Sequence, residues 1–505
     1  MKIRQLGALV AIAITSSLLA GCVSTTATPS TGAQGDGAIT IAMASEPPNT
    51  DPIMTRSISA WNIYYAVYDG LTRITADGTI EPGLATSWKH NDDLSQWDFT
   101  IRDGVTFHNG DALTASDVVY TYKAILGAET STNRVAIGMV EGVEEVEDGV
   151  VRFTLKNPFS AWLNQVATIG IVPEKVYSEL GDDFVNEPVG TGPFSFVSWK
   201  RGVSYEVKRN DEYWGDKAGV EKVTFSFVGA EDARVTGVES GTLDAAAISA
   251  SQIAVLKGSK RATVISSPSN QVMFVGVNTT AGVLKDARVR QAISMAIDRD
   301  ALIKQLLGGK GVANGQLVAK GVTGHVKDFP LPTFDLEAAK KLLADAGYKG
   351  EEITFEYATV GGDPMSTEIA QAVQGFLAKV GVKVRLVGSE NTSLSLKLAN
   401  HQITGLYLTG WAPSSMDGDV VVSQLLAGGP EDYARDPQMA KLYLDQQSAG
   451  EAERAEVYKQ IWELNQERVY HIPLYTNYYS FAANPALKWA PAADGIYRAT
   501  DFAIR

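Results

Sequence analysis

The chain has 505 residues, more than one ordinary hydrophobic core supports, so two or three domains are expected. Its 45% apolar and 20% charged residues are ordinary globular composition. The formal net charge of −14 argues against a nucleic-acid partner, because nucleic-acid binders concentrate Lys and Arg in a basic patch and this sequence has no such cluster.

The first 22 residues have the pattern of a bacterial lipoprotein signal peptide. Lys2 and Arg4 form a basic start, and residues 6–20 are mainly apolar but too short for a confident membrane span. Residues 19–22 read Leu-Ala-Gly-Cys, which resembles the lipobox, and Cys22 is the sole cysteine, so no intrachain disulfide can form. We expect cleavage before Cys22 and its acylation. An ordinary signal peptide cut after a small residue is the alternative.

The next segments predict a tether and the first elements of a globular body. Residues 22–37 are rich in Ser, Thr, Gly and Ala and contain no aromatic residue, which is typical of a flexible tether. Residues 38–44 alternate as a strand, and a Pro-rich run ends it. Residues 61–67 carry aromatic side chains at helical spacing. Core packing and ligand contact both remain open for these rings.

A series of short motifs begins after this helix. They are Asp-Gly-Leu-Thr-Arg at 69–73, Asp-Gly-Thr-Ile-Glu-Pro-Gly-Leu-Ala-Thr-Ser-Trp at 77–88, and Asp-Gly-Val-Thr-Phe-His-Asn-Gly-Asp at 103–111. Residues 96–102 predict a strand, and Thr114 with Asp117 has the spacing of a capping box that opens a helix. Together these segments resemble the N-terminal signature of the extracellular solute-binding proteins of ABC importers, often called family 5.

The resemblance continues in order to the C-terminus. The further segments are 190–194, 209–215, 285–299, 336–348 and 472–475. It implies an α/β, two-lobed periplasmic-binding-protein-like fold of type II, with mixed sheets, an extra subdomain in the first lobe and a hinge between the lobes. The expected parts are the signal peptide (1–21), the tether (22–37), a discontinuous first lobe (38–75, 186–278 and 480–505), its inserted subdomain (76–185) and a second lobe (279–479).

Local patterns agree with such a fold. Gly190 and its neighbours are predicted to need glycine backbone freedom for a turn. Residues 286–298 have the spacing of an amphipathic helix, and a second helix is predicted over 334–347 with Asp335 as its cap. Strands at 352–359 and 383–387 flank a helix at 365–380, which predicts a βαβ unit.

Catalytic chemistry is not indicated. Adjacent acidic residues on a strand face opposite ways, so the acidic pairs of this sequence are poor acid–base pairs. No two of the five histidines have a helical metal-ligand spacing, and nucleophile-elbow, P-loop and dinucleotide motifs are absent from the sequence. We therefore expect a binding protein that is not an enzyme and uses no metal or cofactor.

The segment 410–419 is the main candidate for ligand contact. It follows an apolar strand predicted over 403–408, and it combines a Trp, two hydroxyls and two carboxylates in a loop expected to be exposed. The family resemblance implies that this loop and the end of the first strand face a cleft between the lobes. The expected ligand-contacting residues are Ser45 and Glu46 on the first lobe, and Trp411, Ser414, Asp417, Asp419 and Tyr475 on the second. For Trp411, a core position that plugs the loop is the alternative.

Two departures from the family pattern bear on the ligand. Peptide-binding relatives carry an Asp three residues after the loop Trp, whereas this sequence has Ser414. Dipeptide binders also use an Arg where this chain has Thr367 or Glu368. Unpaired charges in a closed cleft would cost several kcal/mol. We therefore expect weak or no binding of free dipeptides in the usual pose.

The ligand class stays open between two readings. One is a longer or modified peptide; the other is an oligosaccharide or opine-like solute, which would suit stacking on Trp411. A secreted lipoprotein hydrolase is a third hypothesis, and nickel or haem uptake is the least favoured. The expected partners are an ABC permease and the membrane that holds the lipid anchor, for a monomeric protein outside the cytoplasmic membrane, in the periplasm if the cell is Gram-negative.

Overall fold

The structure is a computed structural model that describes residues 37–504. The predicted signal peptide, Cys22 and the tether up to residue 36 lie outside the described residues. Over 37–504, no helix combines the length and the apolar character that crossing a membrane requires.

The strands and helices follow one another through the whole described chain. The strands are β1 (Ala38–Met43), β2 (Thr72–Ile74), β3 (Ile80–Pro82), β4 (Ala85–His90), β5 (Gln96–Ile101), β6 (Val140–Glu147), β7 (Val150–Leu155), β8 (Phe194–Lys200), β9 (Ser204–Arg209), β10 (Lys222–Phe227), β11 (Ala245–Ile248), β12 (Thr263–Val277), β13 (Val312–Ala313), β14 (Ile353–Val360), β15 (Val384–Glu390), β16 (Leu406–Trp411), β17 (His471–Ala483), β18 (Leu487–Lys488) and β19 (Ala503–Ile504). The α-helices are α1 (Ile58–Val67), α2 (Ala115–Gly127), α3 (Thr132–Ala136), α4 (Trp162–Val166), α5 (Glu174–Leu180), α6 (Glu231–Ser240), α7 (Ala250–Val255), α8 (Ala287–Ala296), α9 (Arg299–Leu306), α10 (Leu336–Asp345), α11 (Ser366–Ala378), α12 (Asn391–Ala399), α13 (Asp419–Leu425), α14 (Pro437–Ser448) and α15 (Glu451–Arg468).

The two helix caps predicted from the sequence, at Thr114 with Asp117 and at Asp335, are present in the structure. The Asp117 carboxylate accepts the backbone N–H of Thr114 at 2.9 Å, so the predicted capping box opens α2. Asp335 accepts the backbone N–H groups of Glu337 and Ala338 at the start of α10. A capping carboxylate satisfies N–H groups that no helical partner can reach, and this local chemistry fixes where a helix begins.

One large mixed sheet runs through the molecule. Its strand order is β15-β14-β16-β12-β17-β11-β1-β10-β9-β8, with β13 attached to β17. The long strands β12 and β17 lie side by side and antiparallel, and their ladder changes register between Pro268 and Val272. Beyond this irregularity β12 pairs with β16, whereas the other end of β17 pairs with β11.

The two long strands pass from one hydrophobic core to another. Ile265 and Phe481 pack with the core that holds β1, β10 and α1. Val275 and Leu474 belong to a second core, built with α8, α11 and β14. On β12, the passage from the first core to the second comes earlier in the chain than residue 278, after which the lobe boundary was predicted. Two cores joined by a strand pair are the arrangement of the two-lobed binding-protein fold.

The segment predicted as a subdomain forms a sheet of its own. Its strand order is β4-β5-β7-β6, all antiparallel, and α2 packs against it. Phe99 and Phe153 from this sheet and Trp162 from α4 share the first core with Tyr68. The subdomain is therefore packed onto the first lobe through a continuous apolar interior.

The structure gives a different reason for the glycine at position 190 from the one predicted. Neither Gly190 nor Gly192 has a positive φ, so the turn does not require glycine backbone freedom. Instead, a Cβ at Gly190 would lie 2.0 Å from the carbonyl oxygen of Val67, and one at Gly192 would lie 2.5 Å from the Val67 carbonyl carbon. The end of α1 thus lies so close to this loop that only a hydrogen fits.

We expect Gly190→Ala to destabilise the protein by about 1–3 kcal/mol or more, because the methyl group must displace backbone rather than a flexible side chain. Gly127→Ala is the matched control: it ends α2, has open space around it and gains helix propensity. Urea unfolding followed by tryptophan fluorescence measures both variants. Equal midpoints for Gly190→Ala and the wild type would contradict the steric argument.

Candidate functional site

A cavity of the described chain lies where strand ends from the two lobes meet. In the first lobe, β1 runs parallel to β10 and β11, and in the second lobe β14 runs parallel to β15 and β16. One cavity of about 1080 Å³ is lined by the residues that follow β1, β11, β14 and β15 and by the end of β16. The carboxyl ends of parallel strands are the usual place for ligands in α/β folds.

Hydroxyl and amide groups dominate the polar lining of this cavity. The first lobe contributes Ser45, Ser57, Ser59, Asn62, Ser249 and Ser251, and the second lobe and the crossing strands contribute Gln271, Ser366, Asn391, Thr409, Asn477, Tyr478, Tyr479 and Ser480. Apolar surface comes from Met43, Met273, Leu307 and Met365. Such a lining can hydrogen-bond a polar solute while excluding water from part of its surface.

The charged lining residues are Lys310, Asp363, Glu368 and Asp494. The Asp494 carboxylate accepts hydrogen bonds from both terminal nitrogens of Arg498, at 2.9 and 2.6 Å, so its charge is compensated within the protein. Lys310, Asp363 and Glu368 have no ion pair within the part of the chain that the structure describes. None of the arginines in residues 37–504 lines the cavity.

Asp363 is held in place by the strands that cross between the lobes. Its Oδ2 accepts the side-chain N–H of Asn477 at 3.0 Å, and its Oδ1 accepts the backbone N–H of Met365 at 2.8 Å. Asn477 Nδ2 also donates to Gln271 Oε1 at 3.0 Å. Burial raises the pKa of Asp363, and the neighbouring Glu368 raises it further, against the hydrogen bonds that lower it.

Of the residues predicted from the first-strand end, Ser45 lies in the cavity lining and Glu46 does not. The Glu46 carboxylate accepts the indole N–H of Trp199 at 2.8 Å and the backbone N–H of Gly202 at 2.9 Å. The Arg201 guanidinium lies over the Trp199 ring at 3.4 Å. Through these hydrogen bonds, Glu46 links the β8–β9 turn to the end of β1.

The segment 410–419 is largely buried, and the expectation of an exposed loop was wrong. Pro413, Ser415, Met416, Asp417 and Asp419 are buried, and Trp411 and Ser414 are part-buried. The burial has a clear cause, because side chains from the first lobe and its subdomain reach the loop. Asn164 donates to the Ser415 carbonyl at 2.9 Å, and Arg56 donates to the Ser414 hydroxyl at 3.3 Å.

Trp411 is the last residue of β16 and packs against the core that holds Phe274 and Trp462. Tyr475, which is 1% exposed, belongs to the core around α8 and α11. Neither ring is among the cavity-lining residues; of the segment 410–419, only Gly410 is. Ligand contact by Trp411, Ser414 and Tyr475 stays a prediction.

The carboxylate of Asp417 is engaged in a buried ion pair. Arg454 donates to both of its oxygens at 2.7 Å, and the Tyr458 hydroxyl donates to one of them at 3.1 Å. The side chains of Asp417 and Arg454 are only 1% and 6% exposed. Direct ligand contact by Asp417 would require this pair to open, at a cost of several kcal/mol.

Asp419 is buried beside this pair and forms no ion pair of its own with the described residues. It accepts the side-chain N–H groups of Gln446 at 2.6 Å and Gln447 at 3.2 Å. Burial raises the pKa of Asp419 to about 6, and the neighbouring Asp417 adds to the effect. The two loop carboxylates therefore belong to the packing between the loop and helices α14 and α15, and neither lines the cavity.

Sequence reasoning missed Asp363, Gln271 and Asn477, and it noted Glu368 only as a position where dipeptide binders carry an Arg. A signal was present for Asp363: residues 361–364 read Gly-Gly-Asp-Pro and follow the first strand of the predicted βαβ unit. The strand-end argument applied to the Trp411 loop points equally to that segment. Gln271 and Asn477 carry no local signal, because the strand crossing alone brings them to the cavity.

We expect Asp417→Asn to destabilise the protein by about 3–5 kcal/mol, because it leaves a buried guanidinium without its counterion. Asp419→Asn is the matched control, two positions along the same loop. It should leave stability at pH 7 unchanged or higher, because the asparagine is neutral where burial disfavours the carboxylate.

The pH dependence distinguishes the two residues further. The folded wild type keeps the Asp419 proton up to a pKa of about 6, whereas the unfolded chain loses it near 3.8. The wild-type protein therefore loses stability as the pH rises between these two values. The free energy of unfolding of Asp419→Asn relative to wild type should therefore rise over this pH range. Urea unfolding across that range measures it, and a flat difference would contradict the burial argument.

Residues 79–433 match the family described as bacterial extracellular solute-binding proteins, family 5 Middle. The chain is 30% identical over 376 residues to Protein XP55 of Streptomyces lividans, covering 71% of this chain and 68% of XP55. It is 25% identical over 505 residues to the oligopeptide-binding protein AppA of Bacillus subtilis, covering 94% of this chain and 93% of AppA.

Solved structures share the fold. The ABC transporter substrate-binding protein CtaP of Listeria monocytogenes superimposes with a TM-score of 0.84 at 24% identity, covering 93% of this chain and 99% of CtaP. AppA of Bacillus subtilis in complex with a nonapeptide gives a TM-score of 0.71 at 22% identity, covering 93% of this chain and 99% of AppA. The family is defined by solute binding and not by catalysis. The chain belongs to the bacterial extracellular solute-binding proteins of family 5.

Proposed function

We propose that the protein captures a peptide or peptide-like solute outside the cytoplasmic membrane and delivers it to the permease of an ABC importer. The observation that carries this proposal is the cavity of about 1080 Å³ at the meeting point of strand ends from both lobes. Ligand pockets for drug-sized molecules span roughly 300–1,000 Å³, so this cavity accommodates a solute at or above that size.

The peptide class is supported by the lining and by the relatives. A peptide backbone alternates donors and acceptors, and the side-chain amides of Asn62, Gln271 and Asn391 offer both. AppA, which matches along nearly its whole length, is an oligopeptide-binding protein, and its solved structure contains a nonapeptide.

Capture by hinge closure follows from how the lobes are joined. The two lobes predicted from the sequence are the two moving parts of this proposal, with their boundary on β12 placed before residue 278. We place the hinge where β12 and β17 change cores, at residues 268–272 and 476–478, because the ladder irregularity there removes hydrogen bonds that would resist bending. A solute that contacts both walls of the cavity would favour the closed state.

The lipid anchor at Cys22 is part of this proposal and rests on the lipobox-like residues 19–22. An acyl chain stabilises membrane attachment by about 0.8 kcal/mol for each buried methylene. Metabolic labelling with an alkyne fatty acid should therefore tag the wild type and not Cys22→Ser. A wild-type protein that takes up no label would contradict acylation at this residue.

Native mass spectrometry of the Cys22→Ser protein, purified without refolding, tests the solute class. We expect a co-purified mass that fragments into amino acids. Alanyl-alanine added to protein freed of its solute should give no stable adduct, because none of the arginines in residues 37–504 lines the cavity to pair the dipeptide carboxylate through two hydrogen bonds. A sugar- or opine-like mass would favour the alternative solute, and tight dipeptide binding would contradict the charge argument.

A further inference from the structure

We propose that Gln271 donates a side-chain N–H to a backbone carbonyl of the solute, and that Asp363 and Asn477 are positioning residues that fix the Gln271 amide in this orientation. This inference rests on the proposed function, since it assigns one contact to the peptide-like solute of the same cavity. It is carried by a chain of three side chains, from Asp363 through Asn477 to Gln271, whose hydrogen bonds allow one arrangement of donors and acceptors.

Asn477 lies at the centre of this chain, and its amide is fixed on both sides. Its Oδ1 accepts the backbone N–H of Tyr478 at 2.8 Å, and that group has no acceptor to offer. Its Nδ2 donates to Asp363 Oδ2 at 3.0 Å. A rotated amide would place its nitrogen against the Tyr478 N–H and its oxygen against the Asp363 carboxylate. Both contacts would be repulsive, so the amide has a single orientation.

The orientation of Asn477 determines that of Gln271. Asn477 Nδ2 also donates to Gln271 Oε1 at 3.0 Å, so Gln271 directs its oxygen to Asn477 and its nitrogen away from it. The neighbouring chain leaves room for this amide, because a Cβ at Gly410 would lie 3.2 Å from Gln271 Nε2. The backbone N–H of Gln271 is bonded to Ser269 Oγ at 3.1 Å, which holds the start of the side chain.

The Gln271 nitrogen is the free end of the chain. Gln271 lines the cavity and is part-buried, and its Nε2 donates no hydrogen bond to residues 37–504. This nitrogen is not one of the buried polar atoms that lack a partner, so part of its surface is open to a solute. A donor held in one orientation favours a solute acceptor at this point and disfavours a solute donor.

The charge of Asp363 strengthens this arrangement. Asp363 Oδ1 accepts the backbone N–H of Met365 at 2.8 Å, and Oδ2 accepts from Asn477, so both oxygens act as acceptors. Hydrogen bonds to a carboxylate are stronger than those between neutral groups. An amide at position 363 would direct its oxygen to the Met365 N–H and its nitrogen to the Asn477 nitrogen, donor against donor. Asp363 therefore acts on the solute through Asn477 and Gln271.

The first part of the test finds the carbonyl. Equilibrium dialysis of the Cys22→Ser protein against a tetrapeptide pool of Ala, Ser, Leu and Gln, read by mass spectrometry, identifies the most enriched peptide. This peptide is remade with each amide carbonyl in turn replaced by a thiocarbonyl, a weaker acceptor, and its affinity is measured by calorimetric titration. One replacement should weaken binding by about three- to tenfold, the range for one neutral hydrogen bond. In Gln271→Met the same replacement should have almost no effect.

Gln374→Met is the matched control for Gln271→Met. Gln374 is also part-buried, and its side chain makes one hydrogen bond, from Nε2 to the Val384 carbonyl at 2.8 Å. It lies on α11 and is not among the residues that line the cavity. Its loss should leave both the affinity and the thiocarbonyl effect as in the wild type.

The second part tests positioning by exchanging the acid and the amide. Asp363→Asn alone should lower both stability and affinity, because it sets donor against donor at Asn477. Adding Asn477→Asp restores every hydrogen bond: the carboxylate at 477 accepts from Tyr478, from the amide at 363 and from Gln271 Nε2. Gln271 then turns its oxygen to the cavity. Urea unfolding should therefore show recovered stability, while affinity for the peptide stays at least threefold below wild type.

Three results would contradict the inference, each at a different step. If no thiocarbonyl effect depends on Gln271, the contact is refuted while the proposed function stands. If the double variant recovers affinity together with stability, or recovers neither, positioning by Asp363 and Asn477 is refuted. If dialysis enriches no peptide, the peptide class of the proposed function is refuted, and the inference with it.

Discussion

The pairing of β12 with β17 is the interaction on which the rest of the structure depends. Each strand contributes side chains to both cores, so each core is complete only because the two strands extend into both lobes. Gln271 and Asn477 lie at the point where the strands cross, and through them the strand pair holds Asp363 in the cavity wall. The same backbone therefore joins the two cores and positions a charged side chain of the cavity.

The Trp411 loop has a different place in the molecule from the one its composition indicates. Its aromatic ring, hydroxyls and acids are those of a binding loop, but their partners are protein groups. The buried pair of Asp417 and Arg454 fixes the loop to α15, and Asn164 and Arg56 bind it from the first lobe. Breaking a buried ion pair is costly, so the ion pair holds this loop in place against α15.

Local chemistry explains what the sequence could predict. The caps at Asp117 and Asp335 and the βαβ unit at β14, α11 and β15 depend on residues close together in the chain, and the structure has them where expected. The family fold followed from motifs spread over the whole chain. The burial of Asp417 could not be predicted in the same way, because Arg454 is far along the sequence and no spacing rule connects the two. Likewise, Gly190 faces Val67 only after folding.

The most direct test of a solute site at the strand ends is a crystal structure of the protein purified with its natural solute. We expect density between Ser45 on the first lobe and Asp363 on the second, with the ion pair of Asp417 and Arg454 intact. Density for the solute at the Trp411 loop, with that ion pair broken and the cavity filled only by water, would contradict it.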